Sequence, residues 1–281
     1  MLRICADIIA CHPLMLHMRD PGPKVGRNIF ALLDLLRGAP IDVSLTIPSA
    51  ILRDAARQLL HEHGMKEILL SVESIAELSD VMGLMQLFSP QEGTAPGAPP
   101  PVMGISFSVT SGNWLELSSL VTICRENRIN RLVLPMQRLY GGTVPFSLSR
   151  EEQRTLAGSL AFAVGVEWMD LTIHDPFLWR AFNPGIPFPQ GGCQAANTML
   201  AIAPDGGVYP CPALPVLLGR IGSTSLKEII ESPGKKEFRR GLQEFPTKCR
   251  GCGELAECRG GCRGRALTVH GSLDGVDPAC E

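Results

Sequence analysis

Along residues 1–182 the apolar positions keep switching between two periods. Short runs of mainly apolar residues at 4–10, 41–47, 67–72, 103–109, 131–136 and 169–174 predict six strands. Between them, segments 25–37, 49–63, 74–87, 114–127 and 149–165 carry apolar residues at helical spacing. Val25, Ile29, Leu32, Leu33 and Leu36 form one such stripe, and Leu115, Leu120, Ile123 and Cys124 another. Ser149 ahead of Glu151 and Glu152 reads as a helix N-cap with acids in the first turn, and Ser49 after Pro48 reads similarly. Six strand–helix repeats predict an α/β fold with a parallel sheet, either doubly wound or a partial barrel. The runs are too uniformly apolar for a sheet with one face in water. Residues 90–101, rich in Pro, Gly and Ala, read as an exposed loop.

After a linker at 183–189 the pattern changes, which places a domain boundary between 1–182 and 183–281. Residues 198–203 and 208–211 flank Pro204-Asp205-Gly206-Gly207 and predict a β-hairpin. Residues 225–232 predict a short helix stopped by Pro233-Gly234. From Thr247 onward Cys, Gly and Arg dominate, and such a segment needs a metal to fold.

Composition narrows the class. With 45% hydrophobic residues the chain can bury a sizeable core, and its net charge of −2 gives no general pull towards nucleic acid or anionic membrane. No apolar run approaches the roughly 20 residues of a membrane span, and the first residues lack a secretory pattern. The expectation is a cytoplasmic protein, whose cysteines serve metal or redox chemistry rather than disulfides.

Seven of the ten cysteines lie in the last third: Cys193, Cys211, Cys249-x2-Cys252-x5-Cys258-x3-Cys262, and Cys280. Four thiolates are needed per iron–sulfur cluster, so seven come close to two sites. A single zinc on Cys249, Cys252, Cys258 and Cys262 is the plainer alternative, but it leaves Cys193 and Cys211 without a role. Lys235, Lys236, Arg239, Arg240, Lys248, Arg250, Arg259, Arg263 and Arg265 make this region basic. They read first as a solvated face, and second as charges offsetting those of thiolate-bound clusters. Cys5, in the first predicted strand, and Cys124, on a helix, read as buried small hydrophobes. His174-Asp175 at the end of the sixth strand and Gln137-Arg138 after the fifth stand where barrel sites usually lie, but read first as caps or loop contacts. Gly141-Gly142 reads as a loop, with no phosphate-loop pattern after it.

The order Cys-x12-Gly-x4-Cys, gap, Cys-x2-Cys-x5-Cys-x3-Cys, gap, Cys resembles the SPASM domain, over residues 193–280. The stretch Leu200 to Cys211 is similar to its hairpin, and Leu218-Gly219-Arg220-Ile221-Gly222 with the helix after Ser225 to its connector. The resemblance implies a preceding six-unit (βα) partial barrel of radical SAM type and one or two auxiliary [4Fe-4S] clusters. It implies Cys193, Cys211 and Cys262 as ligands of the first, and Cys249, Cys252, Cys258 and Cys280 of the second. Many members carry a further Cys just before the position of Cys193. Here 188–192 has none, so the first cluster is left with an open iron, a distant thiol such as Cys124, or no cluster at all.

The barrel departs from that family. Radical SAM enzymes carry Cys-x3-Cys-x2-Cys after the first strand. There this chain offers Cys11-His12-Pro13-Leu14-Met15-Leu16-His17-Met18. The second strand runs into Pro48-Ser49 with no Gly-Gly-Glu to hold the methionine amine of S-adenosylmethionine. The pattern is similar to the non-catalytic SPASM protein of GeoRSP-type systems. That implies no catalytic residue and no S-adenosylmethionine. It also implies a radical SAM enzyme, a PqqD-like peptide chaperone and a precursor peptide as partners. An active peptide-modifying enzyme with an atypical site at Cys11, and a structural protein braced by clusters, are the alternatives.

Overall fold

The computed structural model describes residues 2–19, 27–48, 65–87, 101–137, 146–162, 168–186 and 192–280. The helix expected at 49–63, nearly all of the loop at 90–101, Arg138 and Gly141-Gly142 lie outside them. The chain divides into two compact units. One comprises 1–108, 115–135 and 165–172, the other 109–114, 136–164 and 173–281.

In the first unit, helix α1 (Leu2–Ala10) leads to strand β1 (Met15–Arg19), α2 (Arg27–Leu36), β2 (Asp42–Pro48) and β3 (Glu67–Val72). Then come α3 (Leu78–Leu87), β4 (Val102–Phe107), α4 (Leu117–Glu126) and β5 (Arg131–Leu134). Strand β6 (Asp170–Ile173) completes a six-stranded sheet of order β1-β2-β3-β4-β5-β6. β1 to β5 pair in parallel, with Met15 opposite Asp42, Ser44 opposite Glu67, Glu67 opposite Val102 and Ile105 opposite Leu132. Sequential order decides between the two architectures left open by the sequence. Right-handed crossovers that never reverse direction put every helix on one face and curl the sheet into a half-barrel. A doubly wound sheet needs a reversal. Ile68, Leu70, Val72, Ile105 and Phe107 are fully buried, as expected of strands covered on both faces.

At the amino ends of these strands a buried polar array crosses the sheet. Arg131, which opens β5, pairs with Glu67, which opens β3. It also donates to Thr172 Oγ1 at 2.8 Å, while Ser44 Oγ donates to Glu67 at 2.6 Å. The arginine stem passes over Gly104 of β4, where a Cβ would stand 2.6 Å from Arg131 Cγ. Polar plugs at this end of a barrel serve stability.

The first predicted strand is a correction. Residues 4–10 are helical, and Cys5 and Ile8 bury one helix face at i and i+3. A short apolar run does not distinguish a strand from a buried helix face. The true first strand, Met15–Arg19, was hidden by His17 and Arg19. It lies at the sheet edge, where polar side chains reach solvent. Cys11 and His12 therefore precede β1 instead of following it. The other strands match their runs to within two residues.

The second unit holds α5 (Arg150–Phe162) packed on α6 (Pro176–Phe182). Ser149 caps α5 as expected, with Glu152 N donating to Ser149 Oγ at 3.2 Å and Ser149 N to the Glu152 carboxylate at 2.7 Å. A small antiparallel sheet follows: β7 (Ala201–Ile202), β8 (Gly207–Tyr209) and β9 (Gly219–Arg220). Helix α7 (Leu226–Glu231) starts in a Ser225–Glu228 capping box. Pro233 does more than stop it. Ser232 accepts from Lys235 N, and Pro233 opens α8 (Pro233–Gln243), because proline is well placed in a first helical turn. Two short helices, α9 (Leu255–Cys258) and α10 (Arg263–His270), complete the unit. Among the described residues no helix is long and apolar enough to cross a membrane.

Candidate metal centre

The cysteines are carried on tight turns. Between β7 and β8, Gly206 takes φ +82°, and Asp205 accepts from Gly207 N at 2.9 Å. A Cβ on Gly206 would stand 2.8 Å from the Ile221 carbonyl oxygen, so both conformation and space require glycine. Ala196 N donates to Pro210 O at 2.9 Å, which ties the loop after Cys193 to the strand end carrying Cys211. Cys193 and Cys211 both pack against the buried cluster of Ala195, Leu214 and Leu242. Arg239 holds this corner by donating to the carbonyls of Cys193 and Ala195.

The second group sits on consecutive turns. Cys252 N donates to Cys249 O and Leu255 N to Cys252 O, while Thr247 N is anchored on Asp274 at 2.8 Å. Cys258 and Cys280 share a small apolar cluster with Phe177 and Ala279. Between Cys258 and Cys262 the chain passes through three left-handed residues, Arg259, Gly260 and Gly261. Cys262 then stands at the N-cap of α10.

Electrostatics groups the thiols. Burial raises Cys280, and so do Cys258, Cys249 and Cys252. Burial and then Cys258 and Cys252 raise Cys249. For Cys258, burial and Cys252 act upwards against a hydrogen bond from Gly260 N. Cys249, Cys252, Cys258 and Cys280 are thus within one another's field. Burial pushes Cys262 up to about 12, with Arg265 opposing and Asp277 and Cys211 adding to the rise. Cys193 joins this group through the apolar cluster that it shares with Cys211. Among the described residues no three His, Cys, Asp or Glu side chains close on a point as a site for a single metal ion. No disulfide joins any of the ten cysteines, and the seven concerned form two neighbourhoods of soft donors, which suits iron–sulfur ligation in donor type.

Cys5 and Cys124 are buried in the first unit, and burial pushes Cys124 up to about 12. Most of the 188–192 stretch lies outside the described residues.

Sequence reasoning missed one feature. Arg263 and Arg265 are not part of a solvated face, being 4% and 1% exposed, whereas Lys236, Arg240, Lys248 and Arg250 are exposed. Arg263 donates to Glu244 O and Leu273 O. Arg265 lies between Asp175 and Asp277, 5.7 Å over the Phe177 ring. Burial works against its charge, and the two carboxylates overcome that and hold it protonated. Asp175 also caps α6, accepting from Phe177 N at 2.8 Å. The cap was legible in the sequence. The ion pairs, spanning 90 and 12 residues, carried no local signal.

Residues 193–253 match the model of SPASM, an iron–sulfur cluster-binding domain. The PqqA peptide cyclase of Ruegeria pomeroyi is 35% identical over 94 residues, which cover 32% of this chain and only 25% of that protein. The PqqA peptide cyclase of Gluconobacter oxydans is 22% identical over 285 residues, covering 95% of this chain and 76% of that protein. Among solved structures, Streptococcus suis SuiB bound to precursor peptide SuiA superposes with a TM-score of 0.72 at 17% identity, covering 99% of this chain and 69% of that one. The structure of anSMEcpe with bound AdoMet gives 0.68 at 19% identity, covering 99% and 80%.

Proposed function

We propose that this chain, with its SPASM match at residues 193–253 and a fold shared with its solved neighbours, is an iron–sulfur accessory protein in radical SAM-dependent peptide maturation. Cys249, Cys252, Cys258 and Cys280 would hold one [4Fe-4S] cluster, and Cys193, Cys211 and Cys262 the other. Bound clusters would supply one-electron transfer. The chain's own residues set the conditions for it. The turns at 249–255 and 258–262 carry the thiols, Phe177 and Ala279 pack against Cys258 and Cys280, and Arg263 places positive charge near Cys193 and Cys249 and Arg265 near Cys262.

One observation carries the accessory role. Sites in βα sheets form at the carboxyl ends of the strands. β1 ends at Arg19, and Asp20-Pro21-Gly22-Pro23-Lys24-Val25-Gly26 follows it without a thiol. Cys11, the residue on which an atypical initiation site would have to rest, precedes the amino end of β1. β2 ends at Pro48, and the sequence there has no Gly-Gly-Glu. A radical SAM enzyme, a PqqD-like chaperone and a precursor peptide are the partners this reading requires. The relatives' names support a peptide among them, since one is a PqqA peptide cyclase and another structure holds precursor peptide SuiA.

The test is anaerobic reconstitution followed by incubation with reductant and S-adenosylmethionine. The expected protein is brown, holds iron and sulfide in near-equal amounts, and releases no 5′-deoxyadenosine above background. A colourless protein with stoichiometric zinc would remove the iron–sulfur assignment. Cleavage abolished by Cys11→Ala would replace the accessory role with an enzymatic one.

A further inference from the structure

Asp277 is 1% exposed and uses its side chain and main chain on three different peptide groups. One carboxylate oxygen accepts from Cys262 N at 2.5 Å and from Arg265 Nη2 at 2.8 Å. The other accepts from Ala279 N at 3.0 Å. Its own carbonyl accepts from Cys280 N at 2.9 Å. Packing around it is close. A Cβ on Gly261 would stand 2.4 Å from both Asp277 Cβ and Oδ2, and Gly261 holds φ +68°. The backbones of Cys262 and Cys280 are therefore gripped by one residue, although they belong to different thiol groups. A buried carboxylate tolerates this place because Arg265 balances it, and Arg265 is in turn held by Asp175.

We propose that Asp277 is a positioning residue shared by the two cluster sites, setting the Cys262 and Cys280 backbones together so that both sites depend on it for assembly. This rests on the iron–sulfur reading above. A hydrogen bond from a backbone N–H to a buried carboxylate is charge-assisted and directional, so it fixes the peptide plane that aims the thiol. Asparagine is nearly the same shape. It keeps one acceptor oxygen but turns the other position into a donor, which faces either Cys262 N–H with Arg265 or Ala279 N–H. Either orientation opposes donor to donor.

The experiment compares wild type, Asp277→Asn and Cys280→Ser after anaerobic reconstitution. Iron per folded protein is measured, together with the electron paramagnetic resonance signals of the reduced clusters. Cys280→Ser should disturb the signal of one cluster. Asp277→Asn should disturb both and bring iron to less than half the wild-type value, a change that a purely structural role would not produce in protein folded by circular dichroism. Folded Asp277→Asn with wild-type iron and both signals unaltered overturns the inference alone. A wild-type protein that takes up no iron and sulfide overturns the functional reading and this inference with it. If Asp277→Asn does not fold, amide exchange in the wild type decides. Cys262 and Ala279 amides should be protected together, and a Cys262 amide exchanging freely while α10 is protected refutes the grip.

Discussion

Gly206 and Cys124 each tie a local constraint to a measurement. At Gly206 a left-handed backbone and the nearby Ile221 carbonyl exclude any side chain. Gly206→Ala must meet a left-handed penalty of about 1–2 kcal/mol and also displace Ile221. It should lower the thermal midpoint of the second unit and reduce iron uptake, both measured on the reconstituted protein. Cys124 tests burial in the first unit. Its thiol is raised from 9.0 to about 12 by desolvation, so the folded state favours the protonated form. Its contribution to stability is complete below pH 9 and is lost as pH climbs from there through the folded value. The change is roughly tenfold in the unfolding constant per pH unit. The stability difference between wild type and Cys124→Ala, from urea unfolding, should be flat up to about pH 8 and shrink between about pH 9 and about pH 11. A difference that stays constant over this range would contradict a buried protonated thiol.

Strands and helices differ in how much of their cause is local. β3 is legible from its short length and its place between two segments of helical period, since a short apolar run alone does not separate strand from helix. α1 and β1 are not. Their composition misleads in opposite directions, the helix being rich in isoleucine and the strand carrying His17 and Arg19. Only pairing of Met15–Arg19 with β2 distinguishes them. The Glu67–Arg131 pair is an element-level constraint, since it links β3 to β5 across Gly104. Both side chains are at most 12% exposed. Arg131→Met would leave Glu67 buried with Ser44 as its remaining hydrogen-bond donor from that array. A loss of about 3–5 kcal/mol is expected in urea unfolding. Adding Glu67→Gln should recover part of it, and strictly additive losses would show that the pair is not coupled.

Across the molecule, metal and fold are expected to be linked in one region. Residues 247–280 bury few apolar side chains. Their hydrogen bonds run largely within short turns, and their cysteines cluster by field rather than by covalent bonds. Removing iron by chelation should raise amide exchange across 247–280, because the site and its turns form together. The core strands β3 and β4 should keep their protection. Unchanged exchange in 247–280 after iron removal would mean that the arginine–carboxylate array and its apolar clusters suffice to hold the segment.

Five of the six strands, the hairpin around Gly206 and the cysteine spacing that matches an iron–sulfur domain were legible in the chain itself. Each is written in neighbouring residues, as a period, a turn or a run of donors. The half-barrel, the place of Cys11 ahead of β1 and the Asp175–Arg265–Asp277 array were decided by tertiary structure. Sheet order depends on which strands find one another. A buried arginine depends on carboxylates 90 residues before it and 12 after it, and no local pattern announces such partners.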